Sequence, residues 1–111
     1  MHLFSRHATP EIAVEDLDEA LRDESVRVLD VREDWEFRRG RVPGAVSVPL
    51  GQLSVRFAEL PQDKPYAVIC ESGSRSMSAA DFLLSRGFVG AVSVRGGTGA
   101  WARAGRPIEN D

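Results

Sequence analysis

The only cysteine of the chain, Cys70, follows an apolar run, Tyr-Ala-Val-Ile, over residues 66–69. After it come the small and polar residues 71–76, Glu-Ser-Gly-Ser-Arg-Ser, which lead into a helical pattern. Backbone N–H groups of such a turn can form a concave anion site, and a helix N-terminus adds about half a positive charge. A free thiol has a pKa near ~8.5, and such surroundings lower it to roughly 3.5 to 7.5. The pattern predicts a thiolate nucleophile at Cys70, with Arg75 adding to the positive field.

A buried structural cysteine is the alternative interpretation of the same residue. Lone cysteines commonly serve as small apolar core residues. The position of Cys70 at the end of an apolar run suits either interpretation, and the loop chemistry that follows favours the reactive thiol.

Composition limits the classes of protein to which the chain can belong. Its 111 residues fit one domain, which buries roughly two-thirds of the surface exposed by the unfolded chain. A net charge of -3, from 14 basic and 17 acidic residues, argues against bulk attraction to nucleic acid. One cysteine forms no internal disulfide, and no stretch approaches the ~20 apolar residues that span a bilayer. The N-terminus lacks the apolar core of a secretory signal, so we expect a soluble cytoplasmic protein.

The elements that must position Cys70 alternate along the chain. Apolar residues at helical spacing predict helices over 15–24, 33–40, the segment from Leu53 to Leu60, 76–86 and one turn around Trp101. Short β-branched or apolar runs predict strands over 26–31, 44–50, 66–70 and 91–94. Strands separated by helices imply right-handed crossovers and an α/β fold, with a mostly parallel central sheet and helices on both faces. We expect one domain over 11–108, a flexible tail over 1–10 and a short tail over 109–111.

The predicted architecture also places the site. In open α/β sheets, functional groups collect beyond the carboxyl ends of the strands. Cys70, the pair Asp30 and Arg32, and Arg95 all follow predicted strands. The sequence therefore brings these residues to one edge of the sheet.

Five segments together resemble those of single-domain rhodanese-like sulfurtransferases, in order and in approximate spacing. The segments are VLDVREDWEF, GRVPGAVSVPL, CESGSRS, RGF and GGTGAW. Each is weak alone, but the ordered set extends from about Glu11 to Ile108. The resemblance implies the fold of that family and a sulfurtransferase activity.

The resemblance assigns roles to individual positions. Cys70 matches the nucleophile that accepts a sulfane sulfur and becomes a persulfide. The loop residues that match those surrounding the outer sulfur are Glu71, Ser72, Gly73, Ser74, Arg75 and Ser76. Asp30 and Arg32 match a buried supporting pair, and Glu36 matches an acidic residue that braces an arginine, which we expect to be Arg32.

The resemblance also implies the reactants. The donor is a small molecule such as thiosulfate, the acceptor is a thiol or cyanide, and a sulfur-relay protein is a further candidate partner. Neither a cofactor nor a metal is expected, since His2 and His7 have no ligand cluster around them.

Three other functions remain open. Cysteine phosphatases and arsenate reductases of related fold typically place five residues between Cys and Arg, whereas four separate Cys70 from Arg75. The smaller loop suits one sulfur atom better than a phosphoryl group. Domains of the family also act as sulfur carriers or as noncatalytic interaction modules, and the latter often lack the cysteine.

Two residues depart from the family pattern. Glu71 stands where many thiosulfate-using relatives have a basic or neutral residue, so its carboxylate either faces the pocket and opposes an anionic donor or lies in solvent. Arg41 replaces a frequent histidine, at a position with a structural role.

Other conspicuous residues have ordinary structural interpretations. We expect Trp35 and Trp101 to be packing anchors and Arg95 to be a surface residue. Gly96, Gly97 and Gly99 lack the full nucleotide-binding pattern, and close backbone packing in a turn explains them.

Overall fold

A computed structural model describes residues 9–111, and its centre is a five-stranded sheet. The strands are β1 (Glu11–Ile12), β2 (Arg27–Asp30), β3 (Val46–Ser47), β4 (Tyr66–Ile69) and β5 (Val92–Val94). They lie in the order β1-β5-β4-β2-β3, and the paired neighbours are parallel. The predicted parallel α/β architecture is confirmed.

Helices connect the strands and cover the sheet. They are α1 (Val14–Arg22), α2 (Asp34–Arg39), α3 (Leu50–Arg56), α4 (Ser74–Ser85) and α5 (Gly97–Arg103), and a 3₁₀ turn, Phe57–Glu59, follows α3. Each predicted helix is present, with ends that differ by a few residues. The predicted strand over 44–50 is shorter than expected because a turn at Gly44 (φ +83°) precedes it and α3 already begins at Leu50.

Strand β1 was not predicted because two residues are too short for a periodic pattern. Its place is set by backbone pairing, in which Ser93 N–H donates to Pro10 O and Arg95 N–H donates to Ile12 O, both at 2.9 Å.

Alternation along β4 sends its side chains into two separate cores. Tyr66, Val68 and Cys70 belong to one apolar cluster, with residues of α3 and α4. Ala67 and Ile69 belong to the other, with residues of α1 and α5. Because successive side chains of a strand point to opposite faces, Cys70 lies on the α4 side of the sheet.

Helix α4 carries the residues that follow the cysteine loop. Its buried face contains Ser76, Ala79, Ala80 and Leu83, whereas Met77 is 37% exposed. The buried stripe runs through positions i, i+3, i+4 and i+7 from Ser76, so a polar residue belongs to the buried face of the helix.

Helix α4 ends at a glycine cap. Gly87 has φ +86°, and the Phe88 N–H reaches back to Leu83 O at 3.0 Å while the Gly87 N–H donates to Leu84 O at 3.2 Å. This is a Schellman cap, in which Phe88 is buried against the helix.

The two ends of the chain differ in what can be said of them. Residues 1–8, with His2 and His7, lie outside the described residues, as does most of the expected N-terminal tail. Residues 109–111, expected as a tail, contact the domain: Glu109 pairs with the Arg41 backbone, and Arg41 Nη2 lies 2.9 Å from Asp111 Oδ1. Within residues 9–111, no helix has the length and apolar character needed to cross a membrane.

Candidate active site

Cys70 stands at the carboxyl end of β4, which lies in the middle of the sheet between β5 and β2. The residue is 1% exposed. Its Sγ accepts hydrogen bonds from the Gly73 N–H at 3.1 Å and from the Ser76 N–H at 3.3 Å, and Ser76 Oγ lies 3.5 Å away. The turn after the strand therefore directs backbone donors at a single sulfur atom.

Gly73 makes this turn possible. It caps the N-terminus of α4 in the left-handed region, with φ +112°, and a Cβ at this position would lie 3.4 Å from the Gly96 amide nitrogen. Only glycine adopts this conformation at low cost. The reversal lets the chain curl around the sulfur before the helix begins at Ser74.

These contacts favour the ionised thiol. Burial alone would raise the pKa of Cys70, but the Ser76 hydroxyl and the N–H groups of Ser76, Gly73 and Ser72 outweigh it and lower the pKa below its ordinary value. Hydrogen bonds that strengthen on ionisation stabilise the thiolate. The sequence predicted the direction of this shift and the share of the loop amides, whereas Arg75, also expected to contribute, is not among the main groups that lower the pKa.

A second buried hydroxyl lies behind Ser76. Ser76 Oγ is 3.0 Å from Gly73 O, to which it donates, and 2.8 Å from the hydroxyl of Ser93 on β5. Both serines are fully buried. Sequence reasoning missed Ser93, although a lone serine inside the apolar run 91–94 is a signal that could have identified it.

Arg75, which we expected to add to the positive field at the sulfur, is bound by Glu36. Its guanidinium donates to Glu36 Oε1 at 2.8 Å and to Oε2 at 3.0 Å. The expected ion pair of Glu36 with Arg32 is therefore wrong. The hydrogen bond from Arg75 and the backbone N–H of Glu33, which together outweigh burial, lower the pKa of Glu36 to about 2.

Arg32 is instead the partner of Asp30. Both are buried, and the guanidinium donates to the Asp30 carboxylate through Nε at 3.0 Å and Nη2 at 2.8 Å. Further bonds reach Gly40 O at 2.7 Å and Glu71 Oε1 at 3.3 Å. The pair thereby links the end of β2 to α2 and to the cysteine loop.

The remaining loop side chains point outward or to the side. Ser72 and Ser74 are exposed. The Glu71 side chain is 53% exposed and its carboxylate is turned toward Arg32, which resolves the question left open by the sequence. Glu71 faces a groove beside the loop and not the thiol.

The glycine-rich start of α5 packs against the backbone of the cysteine loop. Thr98 N–H donates to Cys70 O at 2.8 Å, and Gly99 N–H donates to Glu71 O at 3.0 Å. A Cβ at Gly97 would lie 2.3 Å from Cys70 O. The close backbone packing predicted for these glycines is confirmed, and its partner is the loop that holds the sulfur.

An open groove of about 450 Å³ adjoins the site. Its walls include Trp35, Arg39, Glu71 and Ile108, while Cys70 is not part of its lining. Trp35 is 60% exposed, so the prediction that it is a packing anchor is wrong. Trp101 is 1% exposed and donates to Pro107 O, as a packing anchor should.

The Arg95 side chain lies at the surface, as expected. It is largely exposed, and its Nε lies 3.4 Å from Glu11 Oε1. Over residues 9–111 there is no group of three or more His, Cys, Asp or Glu side chains arranged to hold a metal ion.

Comparisons with known proteins were made for the whole chain. Residues 13–104 match the Rhodanese-like domain family. A "Sulfurtransferase" of Allochromatium vinosum is 37% identical over 99 residues, which cover 88% of this chain and 92% of that protein. The "Putative sulfur carrier protein YrkF" of Bacillus subtilis is 38% identical over 83% of this chain and 50% of that protein.

Solved structures share the same architecture. A rhodanese-related protein from Thermoplasma volcanium superposes with a TM-score of 0.84 at 35% identity, covering 92% of this chain and 99% of that one.

Proposed function

The chain belongs to the rhodanese-like family, and on that basis we propose that it is a sulfurtransferase that carries a sulfane sulfur on Cys70 as a persulfide. The proposed site consists of Cys70 as nucleophile, the loop from Glu71 to Ser76 around it, and Asp30 with Arg32 as support. The observation that carries the proposal is the pair of N–H groups, from Gly73 and Ser76, that donate to Cys70 Sγ.

The reaction proceeds in two steps, through a persulfide of Cys70. In the first, the Cys70 thiolate attacks the outer sulfur of a donor such as thiosulfate, the S–S bond of the donor breaks, and sulfite leaves with the bonding electron pair. In the second, an acceptor thiolate or cyanide attacks the terminal sulfur of the persulfide. The Cys70–sulfur bond breaks, and the electron pair returns to Cys70 as the thiolate.

The loop has a part in both steps. Donors fixed around the sulfur before reaction stabilise negative charge without reorganisation, which is the usual origin of electrostatic catalysis. A persulfide carries its negative charge on the terminal sulfur, one bond further from β4. The N-terminus of α4 at Ser74 adds a positive partial charge beside the loop, which favours this negative charge.

Intact-mass spectrometry after incubation with thiosulfate tests the proposal. We expect a gain of the mass of one sulfur atom, lost on treatment with cyanide, and no gain in Cys70→Ser. A Cys70→Ser variant with full transfer activity would falsify the assignment. Hydrolysis of an aryl phosphate without any gain of sulfur would instead identify a phosphatase.

A sulfur carrier is the second candidate, favoured by the resemblance to the Bacillus subtilis protein of that name. A carrier takes its sulfur from a protein persulfide and turns over thiosulfate poorly. Comparing the rate of sulfur transfer from a persulfidated protein with the rate from thiosulfate separates the two. A noncatalytic module would accept sulfur from neither.

Two further expectations concern the cellular location and the extent of the functional unit. We propose that the activity takes place in the cytoplasm and that residues 11–108 form the functional unit. The first rests on the free thiol of Cys70, which the proposed reaction needs and which a reducing compartment preserves. The second is testable by truncation to 11–108, which should retain sulfur loading.

A further inference from the structure

Ser93 lies outside the cysteine loop, in the middle of β5, yet its hydroxyl is aimed at the loop. The residue is fully buried, and its Oγ lies 2.8 Å from Ser76 Oγ. Ser76 Oγ is in turn 3.5 Å from Cys70 Sγ. A chain of two buried hydroxyls therefore ends at the sulfur.

The number of hydroxyl hydrogens determines which serine donates in the Ser76–Ser93 hydrogen bond. Each hydroxyl has one hydrogen to donate and can accept two. Within residues 9–111, the Ser93 hydroxyl is hydrogen-bonded to the Ser76 hydroxyl. A buried hydroxyl hydrogen without an acceptor is costly, so the Ser93 hydrogen needs Ser76 Oγ as its acceptor. Ser93 therefore donates to Ser76.

We propose that Ser93 is a positioning residue for the reaction, which holds the Ser76 hydroxyl so that its hydrogen stays on the side of the loop where Cys70 Sγ lies. With one lone pair of Ser76 occupied by Ser93, the Ser76 hydrogen has two acceptors in reach, Gly73 O at 3.0 Å and the sulfur. In the thiol form, S–H donates to Ser76 and Ser76 donates to Gly73. In the thiolate form, the Ser76 hydrogen turns to the sulfur, and the bond from Ser93 polarises it as a donor.

The charged groups around the loop are bound to groups of opposite charge. We therefore assign the orientation of the Ser76 hydrogen to the Ser93 hydroxyl. Arg75 of α4 is bound by Glu36 of α2, and Arg32 after β2 is bound by Asp30 and by Glu71 of the loop itself. On the β5 side, Arg95 is paired with Glu11 and largely exposed. Replacing Ser93 leaves all three arrangements in place.

The pH dependence of alkylation of Cys70 by iodoacetamide tests the proposal. The thiolate is the reacting form, so the midpoint of the rate against pH reports the thiol pKa. In Ser93→Ala we expect the midpoint to move up and the rate below the midpoint to fall about three- to tenfold, as for loss of one hydrogen bond between neutral groups, with the same rate at high pH. Ser85→Ala, which removes a hydroxyl at the far end of α4, should leave the profile unchanged.

A double-mutant cycle shows whether Ser93 acts through Ser76. In a Ser76→Ala background, the further change Ser93→Ala should move the midpoint no more. An unchanged midpoint in Ser93→Ala, or an equal shift in both backgrounds, overturns the proposal. A loss of stability without a shift in midpoint likewise assigns Ser93 a structural role only, and Ser93→Val serves for the same comparison if Ser93→Ala does not fold.

This inference deepens the proposed function, on which its catalytic meaning rests, but the assay contains no sulfur donor. If alkylation shifts as expected while no sulfur is loaded, the sulfurtransferase proposal fails and the positioning role stands. If sulfur is loaded and the profile does not shift, the positioning role alone fails.

Discussion

Glu36 of α2 binds Arg75 of α4 through two parallel hydrogen bonds, at 2.8 and 3.0 Å, and so connects the first residues of α4 to the neighbouring crossover. The carboxylate is 13% exposed and the guanidinium 34%. The positive charge of Arg75, in the loop after Cys70, is therefore paired with a carboxylate.

Glu36→Gln should weaken the fold by about 1–2 kcal/mol, less than for a fully buried pair because solvent screens the half-exposed Arg75. Urea unfolding measures the loss. Asp34→Asn is the matched control, since Asp34 pairs with Arg38 on the same helix but both are exposed, and it should cost under about 0.5 kcal/mol. Equal losses in the two variants would contradict the importance of the Arg75 contact.

The Glu36 contribution should disappear in acid. Its pKa is lowered from 4.5 to about 2 in the folded chain, so the carboxylate stabilises the fold above its ordinary pKa, and this stabilisation is lost as the pH falls through about 2. The difference in unfolding free energy between the wild type and Glu36→Gln should thus be constant above about pH 5 and shrink toward pH 2. A difference that does not change with pH would show that ionisation of Glu36 is unimportant.

Glu71→Gln should improve the use of an anionic donor. The half-exposed carboxylate lies beside the loop, bound to Arg32, and adds a negative charge near the path of thiosulfate. We expect the Michaelis constant for thiosulfate to fall about two- to fivefold at low salt, with a smaller effect at high salt. Glu15→Gln removes the same charge from the exposed face of α1 and should change nothing. A Michaelis constant that stays the same in Glu71→Gln would exclude the repulsion.

Gly97→Ala should displace the cysteine loop. The added Cβ would meet Cys70 O at 2.3 Å and Glu71 O at 2.6 Å, in a residue with φ +62°, so we expect a loss of about 3 kcal/mol or more together with slower alkylation of Cys70. Gly44→Ala has a similar φ but open space around it, and should cost only the strain of about 1–2 kcal/mol with normal alkylation. Comparable alkylation rates in both variants would argue against a role of α5 in holding the loop.

Ionisation of Cys70 should couple to stability. Because its pKa is lowered in the folded chain, the thiolate contributes stability that is present above the ordinary value of 9.0 and is lost as the pH falls through the folded value. The unfolding free energy of the wild type relative to Cys70→Ser should therefore rise with pH through this range. The alkylation midpoint of the native chain should also lie below that of the chain in urea, and coincident midpoints would show that the loop has no effect on the thiol.

The sequence was sufficient for the order of the elements other than β1 and for the placement of Cys70 at the end of a central strand. Apolar runs and helical spacing found the strands β2, β4 and β5 and the long helix α4, since these elements are buried by their own patterns. The edge strand β1 escaped because pairing with β5, and not its two residues, makes it a strand.

Partner choice among charged residues was the part that sequence could not supply. Arg32 and Arg75 are both candidates for Glu36, and the selection depends on distances between α2 and α4 that arise only after folding. Asp30 takes Arg32 because the two are neighbours on one strand end, both buried. Ser93 was overlooked for a related reason, since its hydroxyl on β5 contacts a residue of α4 that is 17 positions away in sequence.

The hydrogen bond from Gly99 N–H to Glu71 O sets the orientation of the peptide plane between Glu71 and Ser72. In a trans peptide plane the carbonyl of one residue and the N–H of the next point in opposite directions. With Glu71 O held toward α5, the Ser72 N–H is turned the other way, toward the sulfur, where it helps to lower the pKa of Cys70. The glycine-rich turn thus sets the direction of the peptide dipoles in the neighbouring loop through its own backbone hydrogen bonds.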